Sequence, residues 1–261
     1  MQQAYRTALI TGASGGIGES FARELAARGA ALTVVARRTD RLETLAEELR
    51  DRHRVQIEVL GADLADPEQL GSVEKRLTNP EHPVELLVNN AGFGTTGPFA
   101  ELPIDGEDRE IRVNVLALSR LTHAVLPSMI ERRHGGVLNV SSVVGETSAP
   151  NNATYCASKS FVTNFTQGVH GEVRDKGVHV TALLPGFTRT EFQRNANFDT
   201  DGIPGFLWQE APTVVREALY AVSSGRAVCI PGLHNKPTAA LMRMTPRSLL
   251  RSLSAQVAAR R

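Results

Sequence analysis

The chain has 261 residues, of which 41% are hydrophobic, 22% charged and 5% aromatic, with a formal net charge of +1 at pH 7. These values are typical of a globular protein and exclude a long disordered chain or a fibre. No stretch reaches the ~18 consecutive apolar residues of a membrane span. The first eight residues contain no apolar export signal, and Cys156 and Cys229 form no CxxC motif. We therefore expect a reducing compartment, by default the cytoplasm, and no disulfide framework.

Short apolar runs alternate with segments of helical spacing along most of the chain. The runs are continuous and rich in Val, Ile and Leu, which is typical of strands buried on both faces of a parallel sheet. They predict strands at residues 7–11, 31–36, 56–60, 85–89, 136–140, 179–184 and 227–230, with helices at 17–28, 40–52, 67–77, 107–133, 152–175 and 212–223. This alternation predicts an α/β, Rossmann-like, doubly wound parallel sheet of about seven strands with helices on both faces.

The chain contains no linker rich in Pro, Gly or Ser, so residues 1–231 are predicted to form a single domain. Residues 187–211 are its longest irregular stretch, which predicts a lid or a short helical insert. Residues 232–261 contain six basic residues and no acidic one. They are predicted to form a basic, amphipathic C-terminal extension.

A glycine-rich segment, TGASGGIG at residues 11–18, joins the first predicted strand to the first predicted helix. Glycine allows a tight turn, lets the backbone approach a pyrophosphate, and brings the helix close to the sheet. The N–H groups at the helix start then favour bound phosphates. The segment predicts a dinucleotide site with contacts from Gly12, Ser14, Gly16, Ile17 and Gly18, the alternative being a plain glycine-rich turn.

The same segment matches the GxSxG pattern that surrounds a hydrolase nucleophile. That interpretation requires an earlier strand and loop to supply an oxyanion donor, followed by an acid and a histidine. Because the segment follows the first strand of the chain, we reject the hydrolase hypothesis.

The end of the second predicted strand bears on cofactor choice. An NAD site places an acidic residue there to bind the ribose 2′-OH, but Ala36 occupies this place and is followed by Arg37 and Arg38. Guanidinium groups suit a 2′-phosphate, so we predict a preference for NADP(H). Two alternatives stay open: the arginines are a solvated start of a helix, or Asp40 binds a 2′-OH and NAD(H) is used.

Two further segments follow predicted strands at the edge where a dinucleotide binds. Asp63 and Leu64 follow the third strand, and we expect the Asp63 carboxylate to accept a hydrogen bond from the adenine amino group. The alternative is that Asp63 caps the next helix. Asn90, Ala91 and Gly92 follow the fourth strand, where small residues let the backbone meet the cofactor and Asn side chains tie neighbouring strands together.

Tyr155 and Lys159 begin a predicted helix four residues apart, so they lie on one face of it. Taken alone, YxxxK is weak, because chance produces it in about one of every two or three chains of this length. The motif gains significance from the other candidate site residues that accompany it. Ser141 and Ser142 end the fifth predicted strand, and Asn114 lies inside a long predicted helix.

The sequence resembles the short-chain dehydrogenase/reductase family over about residues 5–231. TGASGGIG, NNAG, VSSVVG, YCASK and Pro185-Gly186 occur in that family's order and spacing, and the glycine pattern matches its compact NAD(P)-dependent branch. The resemblance implies that Asn114, Ser142, Tyr155 and Lys159 form a catalytic tetrad, with Asn114 holding a water that links Lys159 to solvent. Ser142 rather than Ser141 is the family position.

The resemblance also implies a role for the segment after the sixth strand. Pro185, Gly186, Thr188 and Thr190 are expected to cover the cofactor, with Thr188 at the nicotinamide carboxamide and Thr190 near the pyrophosphate. The family further implies a homodimer or homotetramer formed through the helices at 107–133 and 152–175.

The physical chemistry of carbonyl reduction agrees with these roles. Hydride transfer leaves oxyanion character that needs a proton, and a free tyrosine, with a pKa of ~10, is a poor donor near neutrality. We expect Lys159 and the positive nicotinamide ring to lower the pKa of Tyr155, while Ser142 hydrogen-bonds the substrate oxygen. The sequence therefore predicts an NADP-dependent oxidoreductase that reduces a carbonyl or oxidises the alcohol. The alternative is a non-catalytic NADP(H)-binding sensor on the same fold.

Apolar side chains are concentrated where the substrate would bind. They are Phe93, Phe99, Phe187, Phe192, Phe198, Ile203, Phe206, Leu207 and Trp208. They predict an apolar pocket for a 3-oxoacyl thioester, a steroid or a lipid-like ketone or aldehyde. The alternative is an apolar hinge that packs on the core.

The basic tail has three interpretations. Arg243, Arg247 and Arg251 are spaced for one face of a helix, which Pro246 would have to start or break, and the segment also offers an apolar face. The tail is a helix docked on its own or a neighbouring subunit, a membrane-surface helix, or a contact for coenzyme A or an acyl carrier protein. The seven histidines show no ligand spacing, so no metal is predicted, and nothing indicates nucleic-acid binding.

Overall fold

The structure, a computed structural model, describes residues 5–192 and 204–232 together with Asn235 and Thr245. Its strands are β1 Thr7–Thr11, β2 Ala31–Ala36, β3 Ile57–Gly61, β4 Leu86–Asn89, β5 Gly135–Val140, β6 Val178–Leu183, β7 Thr188–Arg189, β8 Gln209–Glu210 and β9 Val228–Cys229. Its α-helices are α1 Gly16–Ala27, α2 Thr39–His53, α3 Pro67–Leu77, α4 Ile104–Ile111, α5 Leu118–Glu131, α6 Ala153–Val173 and, here numbered α7, Ala211–Ser223.

Seven strands form one parallel sheet in the order β3-β2-β1-β4-β5-β6-β9. The predicted Rossmann-like fold is therefore confirmed. The strand order reverses between β1 and β4, because consecutive units wind outward from this point in opposite directions. Such a switch point leaves a crevice at the carboxyl ends of the strands, where ligands of open α/β sheets bind.

Each face of the sheet is covered by a separate apolar layer. One layer contains Phe21 and Leu25 of α1, Leu42 of α2 and Val214 of α7, and the other contains Leu70 of α3, Leu121 of α5 and Val169 of α6. Burial on both faces explains why the strands are continuous in apolar residues rather than alternating.

The long helix in the middle of the chain differs from its prediction. It begins at Ile104 rather than residue 107, and residues Arg112–Ala117 form a π-helical segment between α4 and α5. A π segment adds a residue to one turn and is frequent at functional sites. The whole helix, Ile104–Glu131, also has the length and composition of a membrane span, but Leu121, Val125 and Met129 on it are buried against the sheet.

The irregular stretch at 187–211 contains two short strands that the sequence did not predict. β7 and β8 pair in parallel, and a 3-10 turn at Gly205–Leu207 precedes β8. Most of the predicted C-terminal extension lies outside the described residues, including its basic residues. Asn235 is described and buried, and its side chain donates hydrogen bonds to Gln209 Oε1 at 2.8 Å and Pro231 O at 2.9 Å. The chain therefore still packs on the domain after the predicted boundary at residue 231.

Candidate active site

A cleft of about 680 Å³ opens at the carboxyl ends of the parallel strands. It brings together all the predicted site residues except Gly18 and Asn114, which are buried behind its wall. The residues that line it are Gly12, Ser14, Gly16, Ile17, Arg37, Arg38, Asp63, Leu64, Asn90, Ala91, Gly92, Ser142, Tyr155, Lys159, Pro185, Gly186, Thr188 and Thr190.

The glycine-rich loop forms one end of the cleft. Gly12 and Gly16 have φ angles of 67° and 58°, which favour glycine. A Cβ on Gly18 would lie 2.3 Å from the carbonyl oxygen of Gly12, so only glycine lets α1 approach the loop this closely. The Asn90 amide holds the loop by donating to Thr11 O at 3.0 Å and Gly12 O at 3.2 Å. This cradle has the backbone geometry that a pyrophosphate requires.

Asn89 and Asn90, at the end of β4, hydrogen-bond to the strands on both sides of it, which confirms that Asn side chains here connect neighbouring strands. The Asn90 amide reaches β1, and the Asn89 amide donates to Asn139 Oδ1 on β5 at 2.9 Å. These bonds fix the ends of three strands that border the cleft.

Arg38 forms the rim of the cleft beside the glycine-rich loop. Its guanidinium donates to the Ser14 hydroxyl at 3.2 Å and the Ser14 carbonyl at 3.3 Å. It also lies 3.6 Å from Glu191, which pairs with Arg41 at 3.0 Å. Asp40, the residue that would favour NAD, lies on the exposed first turn of α2 and does not line the described part of the cleft.

Asp63 does not cap the following helix, so that alternative was wrong. Asp66 caps α3 instead, accepting from the N–H groups of Glu68 and Gln69. Asp63 pairs with Arg109 at 2.5 Å. Partial burial acts to raise the pKa of Asp63, but hydrogen bonds from Arg109 and the Ala65 N–H outweigh this and hold that pKa below its ordinary value. The carboxylate is thus ionised at the cleft wall, where an amino group could donate to it.

Tyr155 and Lys159 lie in the first two turns of α6 and both line the cleft. Lys159 Nζ donates to Val140 O at 3.0 Å and lies 5.7 Å from the centre of the Tyr155 ring. Both predicted serines border the cleft, but Ser141 is buried and its hydroxyl donates to the Lys159 carbonyl at 2.7 Å, whereas Ser142 is only partly buried. The Ser141 hydroxyl is thus engaged with the backbone of α6, whereas the Ser142 hydroxyl hydrogen-bonds with Tyr155, which supports the choice of Ser142.

The protein's own groups do not lower the pKa of Tyr155, contrary to the sequence-based expectation. Burial raises that pKa above its ordinary value, and a hydrogen bond with Ser142 acts in the opposite direction without reversing the shift. Burial also lowers the pKa of Lys159 to about 8, which Glu110 partly opposes. The reason is desolvation, which disfavours the charged form of both groups. Sequence proximity predicts the pairing of the two groups but not the loss of water around them.

Asn114 lies in the π segment, and its side chain joins the backbone after β4 to α6. Its amide donates to Phe93 O at 2.8 Å and Ser158 Oγ at 3.1 Å, and its oxygen accepts from the Phe93 N–H at 3.1 Å. A Cβ on Gly92 would lie 2.9 Å from Asn114 Oδ1 and 3.3 Å from Lys159 Nζ. Gly92 thus borders the space that Asn114 shares with Lys159.

Gly94 is a site residue that the sequence analysis missed. A Cβ there would lie 2.8 Å from Cδ2 and 3.1 Å from Cγ of the Tyr155 ring. A glycine two residues beyond NNAG was the only available signal, and it does not reveal that an aromatic ring packs on it.

Only some of the apolar residues predicted to form the substrate pocket line the cleft; others are exposed or pack beside it. Phe93, Phe187 and Phe192 line the cleft, and the Phe192 ring lies 5.6 Å from that of Tyr155. Phe99 and Phe206 are exposed, at 57% and 72%. Trp208 packs 5.6 Å from Phe187 at the edge of the pocket, and Leu207 is partly buried beside it in the chain. Phe198 and Ile203 lie outside the described residues.

The segment after β6 places Thr188 and Thr190 at the cleft. Thr188 Oγ1 donates to Gly186 O at 3.0 Å, which fixes the turn after β6. A Cβ on Gly16 would lie 3.3 Å from the Thr190 side chain. Thr190 therefore contacts the glycine-rich loop, on the side where a pyrophosphate would lie.

Comparison with known proteins agrees with this architecture. The family model for short chain dehydrogenase matches residues 6–201. The chain belongs to the short-chain dehydrogenase/reductase family. It is an oxidoreductase by membership, since the family model and several of its relatives are named as dehydrogenases or reductases. It is 32% identical over 231 residues to a very-long-chain 3-oxoacyl-CoA reductase from Anas platyrhynchos, covering 86% of this chain and 72% of that protein.

Solved structures of the family superpose closely on this one. A short-chain dehydrogenase from Sphingobium yanoikuyae, in complex with NADPH, is 37% identical with a TM-score of 0.82, covering 92% of this chain and 96% of its own. A bulky-bulky ketone specific alcohol dehydrogenase from Comamonas testosteroni is 34% identical with a TM-score of 0.78, covering 94% and 96%. The resemblance inferred from the motifs is confirmed by both the family model and these structures.

Replacing Gly94 with alanine is expected to displace the Tyr155 ring and to lower kcat/KM by about 10- to 100-fold, because misplacement of a reacting group by ~1 Å has an effect of that order. The chain should still fold, since Gly94 has an ordinary backbone conformation. Gly168→Ala is the matched control, because it lies on α6 with open space around it. Steady-state kinetics and thermal melting of both variants check this, and unchanged kinetics in Gly94→Ala would contradict the packing role.

Proposed function

We propose that this chain is an NADP(H)-dependent oxidoreductase that reduces the carbonyl of an apolar substrate or oxidises the corresponding alcohol. The observation that carries the proposal is the position of Tyr155, Ser142 and Lys159 in one cleft with a glycine-lined cradle. Family membership supports the reaction class.

The cradle fits the phosphates of a dinucleotide, and Arg38 with Ser14 fits a 2′-phosphate at the rim. When bound, NADPH supplies hydride to the carbonyl carbon. Tyr155 then donates its phenolic proton to the carbonyl oxygen, and Ser142 hydrogen-bonds that oxygen. The buried Lys159 ammonium stabilises the tyrosinate that forms. In the direction of alcohol oxidation, the proton transfer runs in reverse.

The high pKa of Tyr155 in the absence of cofactor is consistent with this assignment. Burial keeps the phenol protonated, which is the form that donates in reduction. The tyrosinate needed for oxidation requires positive charge nearby. Lys159 supplies one charge within the protein, and the oxidised nicotinamide ring carries the other.

The apolar wall near Tyr155 supports a bulky, apolar substrate. Val144, Ala149, Cys156 and Phe192 line the cleft at this end and offer no charge to bind a polar substrate. Two of the similar proteins are named for a very-long-chain 3-oxoacyl thioester and for bulky ketones. The substrate class that we propose is a lipid-like carbonyl compound: a 3-oxoacyl thioester, a steroid or a long-chain ketone or aldehyde.

A non-catalytic NADP(H) sensor is the second candidate. It would use the cradle and Arg38 but would not need a buried Lys159 beside Tyr155. Burying an ammonium without a direct carboxylate partner is costly, so its presence favours the enzyme.

We further propose a homodimer or homotetramer. Ile111 on α4, Leu116 in the π segment and Phe161 on α6 are 48%, 45% and 41% exposed, on the helices expected to form such an interface. Three earlier expectations stay predictions. They are the single domain at 1–231, the role of the tail in docking, membrane binding or acyl-carrier binding, and a location in the cytoplasm or peripherally on a membrane.

Tyr155→Phe is expected to lower kcat by about 10²- to 10⁴-fold, the usual contribution of a general acid, while the Kd for NADPH changes by only a few-fold. Tyr220→Phe is the control, because Tyr220 is 57% exposed on α7. NADPH absorbance measures turnover and fluorescence titration measures binding. Turnover near that of the unmodified chain in Tyr155→Phe would refute the assignment, and NADPH binding without any turnover by the unmodified chain would favour the sensor.

Arg38→Ala is expected to raise the KM for NADPH by about 10- to 100-fold, because a hydrogen bond to a charged group contributes roughly 1.5–3 kcal/mol. The KM for NADH should change little, which separates loss of the phosphate contact from damage to the loop. Arg52→Ala, on the exposed far end of α2, is the control. Equal increases for both cofactors, or a clear preference of the unmodified chain for NADH, would contradict a 2′-phosphate role.

A series of ketones of increasing chain length tests the substrate class. Each added methylene that enters the apolar end of the cleft contributes about 0.8 kcal/mol, which predicts a rise of about 3- to 4-fold in kcat/KM per methylene until the pocket is filled. Small polar ketones and a sugar form the comparison group. Good activity on the polar group with no dependence on chain length would exclude the apolar substrate class.

A further inference from the structure

Two buried glutamates lie next to the proposed tetrad without being part of it. Glu107 and Glu110, on the inner face of α4, are 3% and 0% exposed. Neither forms an ion pair within 4 Å with any residue in the described part of the chain. Two buried carboxylates without cations would be strongly disfavoured if both were ionised.

A single hydroxyl group joins the two glutamates. Thr95 Oγ1 lies 2.5 Å from Glu107 Oε1 and 2.9 Å from Glu110 Oε2. The Thr95 N–H also donates to Glu110 Oε2 at 2.8 Å, and the Thr154 hydroxyl contacts Glu107 Oε2.

These contacts determine how many protons the pair holds. A threonine hydroxyl has one proton and can donate to only one of the two carboxyl groups. Its contact with the other is a hydrogen bond only if that carboxyl donates, because two facing acceptor oxygens repel. The geometry is satisfied when one of the two glutamates donates to Thr95 and Thr95 donates to the other, so that the pair shares one proton and carries one negative charge. Like-charged carboxyl groups that share a site commonly hold a single proton in this way.

The pair is connected to the tetrad through Asn114. Glu110 Oε1 lies 3.5 Å from Asn114 Nδ2, and Asn114 Oδ1 and Lys159 Nζ border the same space beside Gly92. The titratable groups that face Glu110 are Glu107 on its own helix and Lys159, Tyr155 and Cys156 on α6. Burial raises the pKa of Glu110, and the Glu107 charge adds to that rise. Glu110 also acts to raise the pKa of Lys159 against desolvation.

We propose that Glu110, with Glu107 and Thr95, forms a proton-sharing carboxyl pair whose single negative charge keeps Lys159 protonated during the reaction. Glu110 and Glu107 are therefore positioning residues: they touch neither substrate nor cofactor and act through Lys159. The catalytic part of this inference rests on the proposed function, whereas the shared proton and its effect on Lys159 do not.

The charge assignment gives an unusual pattern among glutamine variants. Glu107→Gln and Glu110→Gln each remove one carboxyl group and the need for the shared proton, so the remaining glutamate supplies the same single negative charge. The double variant removes that charge. Each single variant should leave the pKa of Lys159 nearly unchanged, and the double variant should lower it by about one unit, as expected for loss of a nearby opposite charge.

Lysine-selective NMR of the full chain measures this directly. The chain has only four lysines, Lys75, Lys159, Lys176 and Lys236, so the Lys159 signal can be assigned by its loss in Lys159→Arg and titrated in each variant. Asp105→Asn is the matched control, because it removes a charge from the solvent face of the same helix. A lowered Lys159 pKa in each single variant would show that both glutamates are ionised and overturn the shared proton. No change in the double variant would overturn the role of the charge.

Two further measurements keep the proposal testable in every case. If the double variant does not fold, infrared spectra of the unmodified chain at neutral pH decide the shared proton. They should contain a protonated-carboxyl band that both single variants lose, and its absence overturns the proposal.

With turnover established, the alkaline limb of the pH–rate profile for reduction should move to lower pH by about one unit in the double variant, because Lys159 then loses its proton sooner as pH rises. A chain that turns over no carbonyl refutes the proposed function, while the NMR titration still decides this inference.

Discussion

The buried Lys159 ammonium is the charge on which the arrangement of the site depends. It is only 5% exposed, its hydrogen bond goes to the Val140 carbonyl at the end of β5, and burial lowers its pKa to about 8. A cation in such a position needs compensating dipoles and negative charge nearby. The strand end supplies the first through Val140, and the acidic residues of α4 supply the second. The pKa of Lys159 is thus set by the tertiary structure, through burial and the nearby acidic residues, and not by the YxxxK spacing.

The parallel sheet fixes the relative positions of the site residues. Residues that are far apart in sequence meet because their strands end at the same edge, and Asn side chains lock the ends of neighbouring strands together. Asn89 joins β4 to Asn139 on β5, and Asn90 joins β4 to the glycine-rich loop. Asn139 in turn donates to Thr166 on α6, the helix that carries Tyr155 and Lys159. Cofactor cradle and reacting groups are therefore linked through buried polar contacts, which tolerate little displacement.

Much of the fold and of the candidate site could be predicted from the sequence, because both leave local signals. Continuous apolar runs predict buried parallel strands, and glycine-rich and YxxxK segments at strand ends predict the cleft residues. What could not be predicted depends on contacts between distant segments. The π segment around Asn114, the packing of Gly94 on Tyr155 and the burial of Glu107 and Glu110 have no local pattern. The raised pKa of Tyr155 in the protein alone was not predicted for the same reason: a spacing shows which groups are near, but desolvation depends on everything that surrounds them.

The segment after β7 connects the two ends of the cleft through consecutive residues. Glu191 pairs with Arg41 and lies near Arg38 at the rim where the 2′-phosphate is proposed to bind. Phe192, the next residue, packs its ring against Tyr155 at the reacting end. Adjacent residues cannot move independently by more than their own side-chain rotations, since one backbone carries both. A backbone shift at Glu191 that accompanies a change of partner at Arg38 therefore also moves Phe192, whose ring packs on Tyr155, so the covalent chain couples contacts at the cofactor rim to contacts around the phenol.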